Sequence, residues 1–187
     1  EPLDVFRAAK FLRDSGEPVR STDEFLEKYA ENVLLDECGF FVFMLKVKGE
    51  EDACIFLEGN RCSIQKAKPR TCRLYPFIAA PTRSGRFEYL VSREHAHHFK
   101  GPSVSTKRWM GKFFYPEERE AQRLEYRAVP QIARLLRLMP ERELAHALTL
   151  FWWYRYSHYD LDRPFSEQYS ANLEELQSEL RTMVSDK

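Results

Sequence analysis

Glycine is scarce in this chain, seven among 187 residues, and no glycine-rich phosphate loop, nucleophile elbow or HExxH helix can be read in it. A purely hydrolytic enzyme is therefore unsupported. Long apolar runs are missing as well. The longest, Phe40 to Leu45, has six residues, whereas a membrane-spanning helix needs ~20. The first fifteen residues carry Asp4, Arg7, Lys10, Arg13 and Asp14 with no apolar segment, so no secretory leader is expected. Glu1 rather than Met stands first, the pattern of a trimmed or processed chain. Charge of one sign is not in excess: 29 Lys plus Arg balance 29 Asp plus Glu. That argues against general nucleic-acid binding, which needs a positive face. Cysteine is sparse, four residues without a CxxC pair. A secreted disulfide scaffold is excluded on that count, and a reducing, cytoplasmic setting is expected.

What is present is enough apolar material for a core. Hydrophobic residues make up 43% and aromatics 14%, so the chain is not of disordered composition. Residues 2–14 carry a helical apolar stripe that Gly16 and Pro18 terminate. Ser21 with Glu24 fits a capping box, followed by Phe25, Leu26, Tyr29 and Val33 at helical spacing. Residues 38–47 are dense in aromatic and β-branched types and predict a buried strand. Residues 53–57 and 86–92 predict two more, whereas 93–116 read as irregular. After Glu117 three helical periodicities follow, with Pro130 bending or beginning a helix and Pro140 and Pro164 separating them. The fold class expected is α+β, mainly helical: a small antiparallel sheet with an irregular Cys-rich loop, plus a C-terminal helical bundle. Residues 1–116 would form the metal-binding part, and 117–187 a helical extension packed on it as one unit. The aromatic run Leu150 to Tyr159 could stack a nucleobase ligand such as S-adenosylmethionine, but its helical spacing favours core packing.

The chemistry concentrates between residues 54 and 77, where Cys54, Cys62 and Cys72 are separated by seven and nine residues. Thiolates are soft anionic donors suited to zinc or iron–sulfur clusters, and three on a short loop can converge on one centre. Buried, unreactive cysteines are the competing reading. Lys68, Arg70 and Arg73 flank Cys72. They could offset thiolate charge or dock an anionic cofactor, or simply be solvated. Cys38, or one of His95, His97 and His98, could supply a fourth ligand.

At these residues the segment resembles the YkgJ, or CxxCxxCC, cysteine-cluster family of zinc- or iron-chelating domains. The matching stretches are Cys54-Ile55-Phe56-Leu57, Cys62-Ser63-Ile64, and Lys68-Pro69-Arg70-Thr71-Cys72-Arg73-Leu74-Tyr75-Pro76-Phe77. The resemblance covers about 25 residues, the second half of the family's pattern, and Lys68 stands where Arg is usual. The defining CxxCxxCC motif is missing, with only Cys38 ahead of Cys54; it is expected upstream of Glu1 or lost. His95 falls near a further family cysteine. The resemblance implies a thiolate-held iron–sulfur cluster, of the 4Fe-4S type, or zinc.

Three functional classes stay open. The first is a cytoplasmic metal-binding protein with a redox, metal-handling or complex-assembly role. The second is a cluster-dependent modifying enzyme like the flagellin lysine N-methylases, which contain a similar domain and act on a protein substrate. The third is a metal-free module that binds a protein partner.

Overall fold

The computed structural model describes residues 1–93 and 103–185. Pro2, pre-set at the first helical position, opens α1 (Pro2–Asp14), whose buried stripe includes Leu3, Phe6, Ala9 and Leu12. Ser21 caps α2 (Thr22–Tyr29), accepting the Glu24 N–H at 3.2 Å. Only half of the expected capping box forms, because the Glu24 carboxylate takes the N–H of Arg20 instead of that of Ser21.

The periodicity through Val33 does not continue as helix. Chain 30–34 leaves α2 as β1 (Ala30–Leu34) and pairs antiparallel with β2 (Phe41–Leu45), from Ala30 opposite Leu45 to Leu34 opposite Phe41. Strand pairing across the sequence has overridden the local helical pattern. The turn between them needs Gly39 twice over. Its φ is +84°, and a Cβ there would meet Leu148 Cδ1 at 2.7 Å.

Three short ladders follow in place of one continuous sheet. β3 (Val47–Lys48) pairs with β4 (Ala53–Cys54), β5 (Leu57–Glu58) with β6 (Arg61–Cys62), and β7 (Phe77–Pro81) with β8 (Phe87–Val91). A single-turn 3₁₀ segment, Gln65–Ala67, and α3 (Arg70–Leu74) lie between β6 and β7.

The stretch expected to be irregular contains α4 (Thr106–Phe113), capped by Ser105. Met110 and Phe114 bury beside Leu74 and Ala79 in a small second core, edged by Phe77, Phe87, Trp109 and Phe113. Gly111 lies inside α4, and no atom lies within 4 Å of where its Cβ would stand, so the helix passes through it on an open face.

α5 (Pro116–Leu138) begins at a proline and runs through Pro130 without ending. α6 (Glu141–Trp152) continues into one π-helical turn, Trp153–Ser157, and α7 (Phe165–Ser185) closes the bundle. The main core joins both ends of the chain. Phe6 packs on Tyr159 and Phe165, Phe41 on Phe151, and Phe165 on Tyr169. Burying one such side chain stabilises by about 1.5–3 kcal/mol. The aromatic run is therefore mostly core, with Phe151 and Tyr156 buried, although Trp153 is exposed. Among the described residues no helix is long and apolar enough to cross a membrane.

Candidate metal centre

Cys54, Cys62 and Cys72 sit on three different elements, β4, β6 and α3. Two tight hairpins bring the first two together: Cys54 stands opposite Val47, and Cys62 opposite Leu57, across a turn where Gly59 has φ +57°. The 3₁₀ turn and Pro69 then redirect the chain into α3, which presents Cys72. All three cysteines line one cavity of about 600 Å³, with Phe56 and Ile64 as its buried apolar wall and Asn60, Arg61, Gln65 and Lys68 as its polar one. All four cysteines of the chain are free thiols.

Burial pushes the Cys72 thiol above its ordinary value; Lys68 pulls it back, while Cys54, Asp4 and Cys62 add to the rise. Cys72 is nonetheless an exposed residue, and Cys54 and Cys62 are half-buried. None is sealed in the core as an inert cysteine would be.

The three flanking cations part company. Lys68 lines the cavity. Arg70 points away from it: its backbone N–H donates to Asp4 Oδ1 at 2.8 Å, its Nε to Glu1 Oε2 at 2.8 Å and its Nη1 to the Ala79 carbonyl at 3.3 Å. Arg73 donates to the carbonyls of Lys68 at 2.7 Å and Phe113 at 3.1 Å, pairs with buried Glu118, and stacks 4.5 Å from the Tyr115 ring. Both arginines are clamps that hold α3, rather than groups facing a cofactor. Their partners Asp4 and Glu118 were not singled out in the sequence. Glu118 carried a signal, as the third residue of a helix opened by proline, and it accepts the Tyr115 N–H at 2.9 Å.

Cys38 lies elsewhere, on the turn between β1 and β2. Its N–H donates to Asp36 Oδ1 at 3.0 Å, and Asp36 pairs with Arg137. It does not line the three-cysteine cavity. His95, His97 and His98 fall outside the described residues.

The donor chemistry fits a thiophilic metal: three soft ligands on one wall with a cation beside them. The side chains are not already drawn to ligating separation, for among the described residues no group of three or more His, Cys, Asp or Glu is gathered closely enough to hold an ion. Compared with protein-family models, curated proteins and solved structures, the chain has no match.

Proposed function

We propose that this chain is a metal-binding protein, holding an iron–sulfur cluster, or zinc, through Cys54, Cys62 and Cys72. One observation carries the reading: three cysteines delivered by three separate elements share the wall of a single open cavity. Cysteines kept only for packing would be dispersed through the core and fully buried. Lys68 on the same wall would offset part of the negative charge of three thiolates. A bound cluster would supply electron transfer or an open metal position, and zinc would supply a structural cross-link. The chain's own contribution is rigid presentation: Arg70 and Arg73 tie the Cys72 helix to α1, β7 and α5. A redox, metal-handling or complex-assembly role follows from such a centre.

The test is anaerobic purification, with metal analysis and visible and electron paramagnetic resonance spectra. Stoichiometric iron with a thiolate-to-iron charge-transfer band identifies a cluster, and stoichiometric zinc without colour identifies the alternative. Cys72→Ser should lose most of the metal in either case, while Cys38→Ser, outside the cavity, should keep it. A wild-type protein without metal, or an unchanged metal content in Cys72→Ser, overturns the proposal.

A further inference from the structure

The cysteine cavity has room for more than a metal. At about 600 Å³ it falls within the roughly 300–1,000 Å³ of small-molecule sites. Phe56 and Ile64, 4% and 1% exposed, make an apolar floor. Leu57, 39% exposed, stands at the mouth, and Cys72 is exposed as well. Three thiolates holding a metal leave that apolar floor without a role.

The charge on the wall is one-sided. Arg61 and Lys68 line the cavity, and no Asp or Glu lines it among the described residues. Arg70 and Arg73, close by in sequence, spend their guanidiniums on carboxylates and carbonyls of other elements. The side chains of Arg61 and Lys68 do not: among the described residues neither makes a hydrogen bond or an ion pair. Glu58 stands opposite Arg61 across the β5–β6 hairpin, yet no ion pair joins them. Arg61 is exposed at the rim, whereas Lys68 is half-buried. An ammonium drawn partly out of water, with no acceptor and no counter-charge of its own, is set to receive an anion.

The count of charges narrows the anion. On the metal reading above, Zn²⁺ or a doubly positive cluster core bound to three thiolates keeps one net negative charge. Arg61 and Lys68 bring two positive ones, which leaves one to be balanced. A monoanion balances it. A phosphate dianion overshoots, and it sets a strongly hydrated group against an apolar floor. Only this choice of a single charge rests on the metal reading; with no metal and protonated thiols the wall carries the two cations alone, and an anion still fits. We propose that the cysteine cavity also takes a small monocarboxylic acid, its carboxylate held by the Lys68 ammonium and the Arg61 guanidinium and its apolar body laid on Phe56, Leu57 and Ile64.

Benzoate is the probe, titrated into the reduced full chain, metal-free and zinc-loaded, while the methyl resonances of Leu45, Leu57 and Ile64 are followed. Saturable shifts are expected in both forms, with millimolar affinity as suits about nine heavy atoms. The metal-free titration tests the ligand site even in a chain that takes up no zinc, so the two readings fail separately. Benzamide, the uncharged isostere, should bind at least about tenfold more weakly in both forms. Phenyl phosphate, a dianion, should bind more weakly than benzoate in the zinc-loaded form. Lys68→Met, which keeps the stem and removes the charge, should weaken benzoate by about tenfold and leave benzamide unchanged. Lys107→Met, on the exposed surface of α4, should change neither. Leu57→Trp, which crowds the mouth from an exposed position, should abolish binding with an unchanged circular-dichroism spectrum. No saturable shift at these methyls, equal binding of benzamide, tighter binding of phenyl phosphate to the zinc-loaded chain, loss of benzoate on zinc loading, unchanged affinity in Lys68→Met, or undiminished binding by folded Leu57→Trp would each overturn the proposal.

Discussion

Cations that look equivalent in a sequence can be separated by what lies within reach of each. Lys68, Arg70 and Arg73 flank one cysteine, but only Lys68 reaches the cavity wall, and the two guanidiniums turn to carboxylates and carbonyls on other elements. The planar fork of arginine suits several fixed acceptors at once, whereas an ammonium acts as a point charge. The same separation applies to Cys38. Its neighbour Asp36 is held down to about 2 from an ordinary 3.8, first by the Arg137 hydrogen bond and then by the Cys38 N–H. The folded carboxyl is thus more acidic than the unfolded one. The stability it supplies is fully present above about 3.8 and is lost as pH falls towards about 2. Asp36→Asn should melt below wild type at neutral pH, and the gap should close across that interval. The pair is exposed, so the gap is small and shrinks with added salt. A melting-temperature difference that stays constant from neutral pH down to about 2 would contradict the assignment.

At the scale of elements, the site depends on how α3 is fastened. This five-residue helix, too short to be stable alone, carries Cys72 and is tied to α5 through Arg73 and Glu118. Glu118, 1% exposed, also receives Arg7 at 2.6 Å, so one buried carboxylate joins α1, α3 and α5. Glu118→Gln leaves the Arg73 guanidinium without its counter-charge, while Arg7 keeps Glu117, and should destabilise by about 3 kcal/mol. The denaturant midpoint would fall with its slope unchanged, and alkylation of Cys72 would quicken. A shift no larger than that of exposed Asp162→Asn would rule this joint out. Much of the element order was legible in the sequence, because Pro2, Ser21 and Pro116 mark helix starts and the apolar stripes of α1, α5 and α7 repeat at helical spacing. β1 was not legible, since its partner begins seven residues beyond its end and supplies the pairing. β7 and α4 were hidden for a related reason: what steadies them is the second core around Leu74 and Met110, which no local pattern announces. Of the site, the three cysteines and Lys68 could be read from the motif. The clamping roles of Asp4 and Glu118 could not, because their arginine partners on α3 lie far from them along the chain.

Across the whole molecule, the division between a cysteine-bearing first part and a helical second part does not follow the packing. Half of the buried residues in the main core come from Ala121 onward, and they interleave with the first half: Phe6 meets Phe165, and Phe40 and Phe41 meet Phe151. Thr22 in α2 donates to the Ser157 carbonyl, and Ser157 in turn donates to Asp23. Residues 1–116 alone would keep the small core around Met110 and the Phe25, Tyr29 and Phe56 cluster, and would expose the faces of α1, α2 and β2 that meet the later helices. Each large aromatic partner lost removes about 1.5–3 kcal/mol of burial, and a domain holds only about 5–15 kcal/mol in total. The fragment 1–116 should therefore show no cooperative thermal transition and little chemical-shift dispersion. In the full chain with Trp152→Phe and Trp153→Phe, Trp109 fluorescence, which reports on the small core, and the far-ultraviolet signal, which is dominated by the long helices, should melt together. Leu180→Ala, in α7 and fully buried, should lower both transitions in step, by about 2–5 kcal/mol. A folded 1–116 fragment, or a Trp109 transition that ignores Leu180→Ala, would show that the cysteine-bearing part stands on a core of its own.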